Sequence, residues 1–291
     1  MSVLLNVTFF GVRGSTPCCS PGHLRYGGNT SCVVLESPGS DPIVCDLGTG
    51  LRGWGATQPL DGSFVAHALV SHLHFDHVQG LPFLAPADRP GARLDVYAPP
   101  QADTSVADAF RSFIQPPYFP ITCSELRGSY GFHEVSDTEV VVGDAKVTVR
   151  SVPHVGLTNG YRIELGGATV AYVSDHQMPV DGSHDIPAGV LELADDVDLL
   201  IHDAQYTPEE FAERAHWGHC TTDFAVDVAL AAGAKRLALF HHDPLHTDDI
   251  VDRLAVDAQA RAGDRLEIIA AAEGLTVNLG DRAADPLATA E

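Results

Sequence analysis

Lysine is nearly missing from this 291-residue chain: Lys146 and Lys235 are the only two, and 17 basic residues face 39 acidic ones for a net charge of −22. That shortage argues against broad, sequence-independent binding of nucleic acid, which depends on neutralising phosphates with Lys and Arg. Any anion-binding role is left to local devices such as metal ions. Paired cysteines are also lacking. None of the six (Cys18, Cys19, Cys32, Cys45, Cys123, Cys220) forms a C-x-x-C pair. Adjacent Cys18-Cys19 is a poor start for a disulfide framework in a chain this long, so all six read as reduced thiols. No apolar run reaches the ~18 residues of a membrane span. Met1 to Phe10 carries neither a basic n-region nor a small-residue cleavage site and reads as a first strand. These absences point to a soluble, cytoplasmic protein. No Gly/Ser- or charge-rich linker divides the chain, so one domain is expected over residues 1–280, with a loose tail over 281–291.

What the chain does hold is an apolar run, Ala66 to Val70, leading into His72, His74, Asp76 and His77. Three imidazoles and a carboxylate within six residues are hard to reconcile with core packing, because each buried ring needs partners for two nitrogens. The pattern of a strand ending in His or Asp then recurs. Lys146 to Val152 runs into Pro153-His154, Ala168 to Val173 into Ser174-Asp175-His176, Val197 to Ile201 into His202-Asp203, and Leu237 to Phe240 into His241-His242-Asp243. Further strands are read over Val3 to Gly11, Ser31 to Glu36, Pro42 to Asp46, Leu94 to Tyr97, Gly131 to Val135, Glu139 to Val142, Gly160 to Leu165, Arg265 to Ala270 and Leu275 to Leu279. Helical apolar spacing covers Thr222 to Ala232 and Asp248 to Ala262, with Thr221 or Thr222 and Thr247 as N-caps. Val106, Phe110 and Phe113-Ile114 fall at helical spacing before prolines 116, 117 and 120 break it. The proline-bracketed Tyr118-Phe119 pair is expected to plug a crossover loop. The two strand series imply an α/β fold of two packed sheets with helices outside.

Strand-end ligands held by one scaffold are a usual way to assemble a buried polar site. His72, His74, Asp76, His77, His154, Asp175 and His241 make two incomplete coordination spheres. The natural division gives His72, His74 and His154 to one metal and Asp76, His77 and His241 to the other, with Asp175 bridging. Imidazole suits zinc, and carboxylate can bridge two cations; Mn and Fe are alternatives. Two such ions can share a hydroxide nucleophile and clamp a phosphoryl oxygen, with Asp76 holding the attacking water. Asp46 reads as a carboxylate that holds a ligand histidine. A one-residue slip of register would put His242 in place of His241. Asn29 is expected to end a loop rather than contact substrate.

His72-Leu73-His74-Phe75-Asp76-His77 resembles the H-x-H-x-D-H signature of the metallo-β-lactamase fold hydrolases. Asp46 within Asp-Leu-Gly-Thr-Gly, His154, Asp175 and His241 match further positions of that family in order, from Val3 to Leu279. The resemblance implies an αββα sandwich with metals in a groove at the sheet edges, and it selects His241, three residues before Pro244, over His242. Gly218-His219-Cys220-Thr221 before the last metal histidine looks like ribonuclease Z and its phosphodiesterase relatives. By that likeness His219 is the general acid, and Asp203, standing where the family has Glu, orients it.

Ribonuclease Z proteins carry a Lys-rich arm that grips transfer RNA, whereas residues 176–196 here contain no Lys or Arg. The expected function is therefore a dimetal phosphodiesterase for small or cyclic phosphodiesters, with no membrane partner and compatible with a homodimer. The rivals are hydrolysis of thioester, lactone or other ester bonds, a transfer RNA 3′-end endonuclease, and a non-catalytic binding protein.

Overall fold

A computed structural model describes residues 5–280; the tail expected over 281–291 lies outside the described residues. Strands β1 (Leu5–Gly11), β2 (Cys32–Glu36), β3 (Ile43–Cys45), β4 (Val65–Leu69), β5 (Arg93–Ala98) and β6 (Ser129–Glu134) form most of the first sheet. The second contains β7 (Thr138–Val142), β8 (Ala145–Ser151), β9 (Asn159–Leu165), β10 (Ala168–Val173), β11 (Leu199–Asp203), β12 (Arg236–Phe240) and β13 (Glu267–Ala270). The last strand, β14 (Thr276–Leu279), returns to the first sheet beside β1. The orders are β14-β1-β2-β3-β4-β5-β6 and β13-β12-β11-β10-β9-β8-β7, seven strands each. Both sheets are mixed: β3 to β6 run parallel, as do β10 to β13, and the remaining pairs are antiparallel.

The layers follow from burial. Val7, Phe9, Leu35 and Ile43 of one sheet meet Val147, Tyr161, Ile163, Tyr172, Ile201 and Phe240 of the other in a continuous apolar layer. Outside the first sheet, α1 (Leu51–Gly55), the one-turn α2 (Phe75–Val78) and α3 (Val106–Phe113) cover the opposite face, with Trp54, Phe110 and Ile114 buried. Outside the second lie α4 (Ala188–Ala194), α5 (Pro208–Arg214), α6 (Thr222–Ala231) and α7 (Asp248–Ala262), burying Leu193, Phe211, Phe224 and Ala258. Central parallel strands are covered on both faces, which is why β11 and β12 read as continuous apolar runs instead of alternating ones.

Strand ends differ from the sequence reading by one or two residues, and β10 and α7 match it end to end. The apolar spacing predicts neither α4 nor α5, nor the five-residue α1. Helix α4 is short and interrupted by Gly189, so it lacks a full apolar period. Helix α5 carries a legible signal in Thr207 and Glu210, which form a capping box around Pro208 at the first turn. Of the proline-bracketed aromatics, Phe119 packs on Phe83 with ring centroids 5.8 Å apart, as a plug would, while Tyr118 is exposed. No helix among the described residues is long and apolar enough to cross a membrane.

Two tyrosines lock the sheets together where the polar strand ends meet. Tyr161 on β9 donates to the Val70 carbonyl (2.6 Å), and Tyr172 on β10 donates to Asp46 Oδ2 (2.7 Å). The Asn159 amide adds a bond to the Ser71 carbonyl (2.8 Å). These contacts tie the C-terminal ends of β3 and β4 to β9 and β10, at the edge at which open α/β sheets place ligands.

Candidate metal centre

The site grows from Asp46, which leaves β3 with a φ of +61°, a backbone conformation uncommon for a non-glycine residue. Its buried carboxylate accepts the Ser71 amide (2.7 Å) and hydroxyl (2.9 Å), the Tyr172 hydroxyl, and Nδ1 of His77 (2.7 Å). Asp46 thus fixes the His77 ring so that Nε2 faces the centre. Three neighbouring rings are held in the same way. His72 Nδ1 meets the Ser71 hydroxyl (3.0 Å), His154 Nδ1 donates to the Gly218 carbonyl (2.6 Å), and His241 Nδ1 donates to Gln205 Oε1 (2.8 Å). Outer partners of this kind set the tautomer and aim of ligand imidazoles.

The inward atoms converge. Asp175 Oδ2 lies 3.3 Å from His77 Nε2 and 3.4 Å from His241 Nε2, whereas Oδ1 lies 3.9 Å from His72 Nε2 and 3.8 Å from His154 Nε2. Asp76 Oδ2 takes the Ser15 amide (2.8 Å) and sits 3.2 Å from His77 Nε2 and 3.3 Å from His241 Nε2. His74 Nδ1 is 3.3 Å from His154 Nε2. The structure therefore brings all seven expected ligands into one cluster. Their ligand atoms group as His72/His74/His154, His72/His77/Asp175 and Asp76/His77/His241, and Asp175 and His241 also group with His219. The expected triads are two of these sets, and Asp175 reaches both.

Those donors fit divalent metal. His72 Nε2, His77 Nε2 and Asp175 Oδ2 are buried with no hydrogen-bond partner of their own. Leaving each such group unsatisfied costs about 1–3 kcal/mol, which a shared cation removes. Protonation states agree with that demand. Burial lowers the pKa values of His72, His74 and His154 and keeps these rings neutral. Burial pushes the Asp175 carboxyl up, but His241, His77, His72 and His154 outweigh it and hold the group well below the usual range. Asp76 follows the same logic, held down by His77 and His241 against its own burial. At His77 burial opposes charge, yet Asp76, Asp175 and Asp46 overcome it, so the field at that position favours a positive charge.

Beside the cluster, His219 Nδ1 donates to Asp203 Oδ2 at 2.9 Å, and its ring stacks on His241 with centroids 5.0 Å apart. The shorter Asp side chain, on the last residue of β11, reaches the ring nitrogen. Asp203 also accepts the His176 amide (3.1 Å) and, through Oδ1, the Gln205 amide (3.0 Å). Burial draws the His219 pKa down. The charge and hydrogen bond of Asp203, then Asp175 and Asp76, more than reverse this and raise it.

Two glycines are required by close approach. A Cβ on Gly218 (φ +97°) would lie 2.4 Å from the His154 ring, and one on Gly14 would lie 2.5 Å from the His241 ring. The remaining histidines are elsewhere. His242 points away from the cluster, pairs with the Ala271 carbonyl (2.9 Å) and is pushed down to about 3 by burial. The φ of +59° at His241 is what turns that one side chain inward. His176 and His202 pair behind Asp203 at 2.9 Å. Asn29 ties its loop to Glu273 (2.9 Å). Burial drives the Cys220 thiol well up, so it is no thiolate nucleophile. Sequence reasoning passed over Gln205, Ser15, Ser71 and Tyr172. Ser71 abuts the histidine motif and Gln205 lies two residues past Asp203, whereas nothing local marks Ser15 or Tyr172.

The beta-lactamase superfamily domain matches residues 43–242, from β3 through His242. The chain belongs to that superfamily. As a member it is similar to the ribonuclease Z of Natronomonas pharaonis, with 28% identity covering 87% of this chain and 92% of the relative. Among solved structures it resembles the metallo-beta-lactamase fold protein YhfI from Bacillus subtilis. That match has a TM-score of 0.72 at 20% identity, covering 95% of this chain and all (100%) of the other. A diphosphatase from the PhnP family aligns with a TM-score of 0.68 at 19% identity, covering 96% of this chain and 99% of the other. These likenesses establish the metallo-β-lactamase fold, and the superfamily's hydrolytic chemistry agrees with the donor set.

Proposed function

We propose that this superfamily member is a dimetal phosphodiesterase acting on small or cyclic phosphodiesters. The observation that carries the proposal is the 2.9 Å contact between His219 and Asp203 beside the converging donors. His72, His74 and His154 would hold one divalent ion and Asp76, His77 and His241 the other, with Asp175 shared; zinc is the first choice for so imidazole-rich a set. When bound, such ions supply an acidified water and Lewis acidity toward phosphoryl oxygens.

The chain's own residues do the rest. Asp76, fixed at Oδ2 by the Ser15 amide, orients the attacking water. His219, with Nδ1 engaged by Asp203 and its pKa raised, keeps a proton at Nε2 for the leaving oxygen. Bonds whose leaving group is a poor alkoxide gain most from that acid, which favours phosphodiesters over thioesters and activated lactones.

The similarity to a ribonuclease Z supports a second reading, cleavage at the 3′ end of transfer RNA. Against it stand the −22 charge and the lysine-free, arginine-free stretch 176–196. The deciding experiment runs metal-loaded protein against bis(p-nitrophenyl) phosphate, 2′,3′- and 3′,5′-cyclic nucleotides, cyclic ribose phosphates, precursor transfer RNA, and ester, lactone and lactam substrates. Turnover confined to the last three classes would overturn the proposal.

A further inference from the structure

Trp217 stands immediately before Gly218 and His219 and is 64% exposed, an unusual position for the bulkiest apolar side chain. It is nonetheless held. The Arg214 guanidinium lies over its ring at 5.7 Å and over Tyr206 at 5.6 Å, and Arg214 is itself anchored to Asp243 (3.0 Å). The Trp217 amide bonds to the Arg214 carbonyl (2.9 Å). The next residue, Gly218, gives its amide to Gln177 Oε1 (2.8 Å) and its carbonyl to His154. An indole backed by a cation, on backbone tied to the frame on both sides, is a held platform, and it stands two residues before His219 in the chain. The cation behind the indole, Arg214, is itself paired with Asp243.

We infer that Trp217 is a specificity-determining residue. It stacks on a planar heteroaromatic group carried by the leaving alcohol, so the favoured substrates are phosphodiesters of base-bearing sugars. Stacking is the recognition that an exposed π face offers, and it tolerates any base. This rests on the phosphodiesterase reading and deepens it.

The test compares adenosine 2′,3′-cyclic phosphate with the 2′,3′-cyclic phosphate of methyl riboside, which lacks the base, using the full chain loaded with Zn or Mn. Trp217→Ala should lower the kcat/KM preference for the base-bearing diester by roughly fivefold to a hundredfold, expressed in KM, and Trp217→Phe should restore most of it. A second readout needs no turnover. Trp217 and the buried Trp54 are the only tryptophans, so adenosine should quench the emission of the wild-type chain and leave Trp217→Phe unchanged. An unaltered preference in Trp217→Ala overturns the inference, with or without quenching. If the wild type cleaves neither diester, the phosphodiesterase reading falls, and the platform then stands or falls on the quench alone.

Discussion

His219 and Asp203 face one another at 2.9 Å with both side chains buried, and the same Asp203 carboxylate receives the amide of Gln205, whose side chain holds His241. One carboxylate at the end of β11 therefore supports His219 directly and His241 indirectly.

Removing the donor should slow chemistry without emptying the site. His219→Ala is expected to cut kcat by roughly 10²–10⁴-fold on diesters with poor leaving groups, and far less on bis(p-nitrophenyl) phosphate, whose phenolate needs no proton. Metal content by plasma mass spectrometry should stay at the wild-type level. Equal losses on both substrates would contradict the acid role.

The pH profile should follow the same pair. Asp203 raises the His219 pKa, and an acid works only while protonated, so activity falls as pH rises through that pKa. Asp203→Asn removes the raising charge, and the alkaline limb of kcat should move to lower pH. A limb that stays in place would show that another group controls it.

Gln205→Ala removes the acceptor of His241 Nδ1 and leaves the other donors intact. Loss of an outer partner typically costs 10–100-fold in metal affinity, readable by competition with a chromogenic chelator. Circular dichroism of the metal-loaded variant should match wild type.

Asp46→Ala would strand the His77 Nδ1 proton, the Ser71 amide and the Tyr172 hydroxyl in a buried setting. Breaking a buried charged hub costs about 3–5 kcal/mol, visible as a lower urea midpoint. A surface-like effect well under 1 kcal/mol would mean that water replaces the carboxylate.

Metal removal provides a further check. A ligand that binds only the folded state stabilises it by mass action, so chelation should lower Tm and abolish turnover, and added Zn or Mn should restore both. Full activity in a stripped sample would exclude the dimetal proposal.

Much of this centre was legible before any coordinates. The seven candidate donors stand out because they cluster just past four apolar runs, and run length is a local property. The helices that escaped notice were short ones, where too few residues sample the helical period. The choice of His241 over His242 came from family likeness alone, since two adjacent histidines at a strand end are equivalent to any pattern rule. The left-handed turn at His241 separates them physically.

The amino-acid sequence by itself determined which side chains are candidates for chemistry, their order, and their placement at strand ends, because hydrophobic periodicity and ligand spacing are written within a few residues. Only the tertiary structure decided how those ends face one another. The division of Asp175 between two sets of imidazoles, the hold of Gln205 on His241, the amide of Ser15 on Asp76 and the reach of Tyr172 to Asp46 all join segments far apart in the chain. Such contacts depend on the register and packing of two whole sheets, and no short stretch of sequence contains that information.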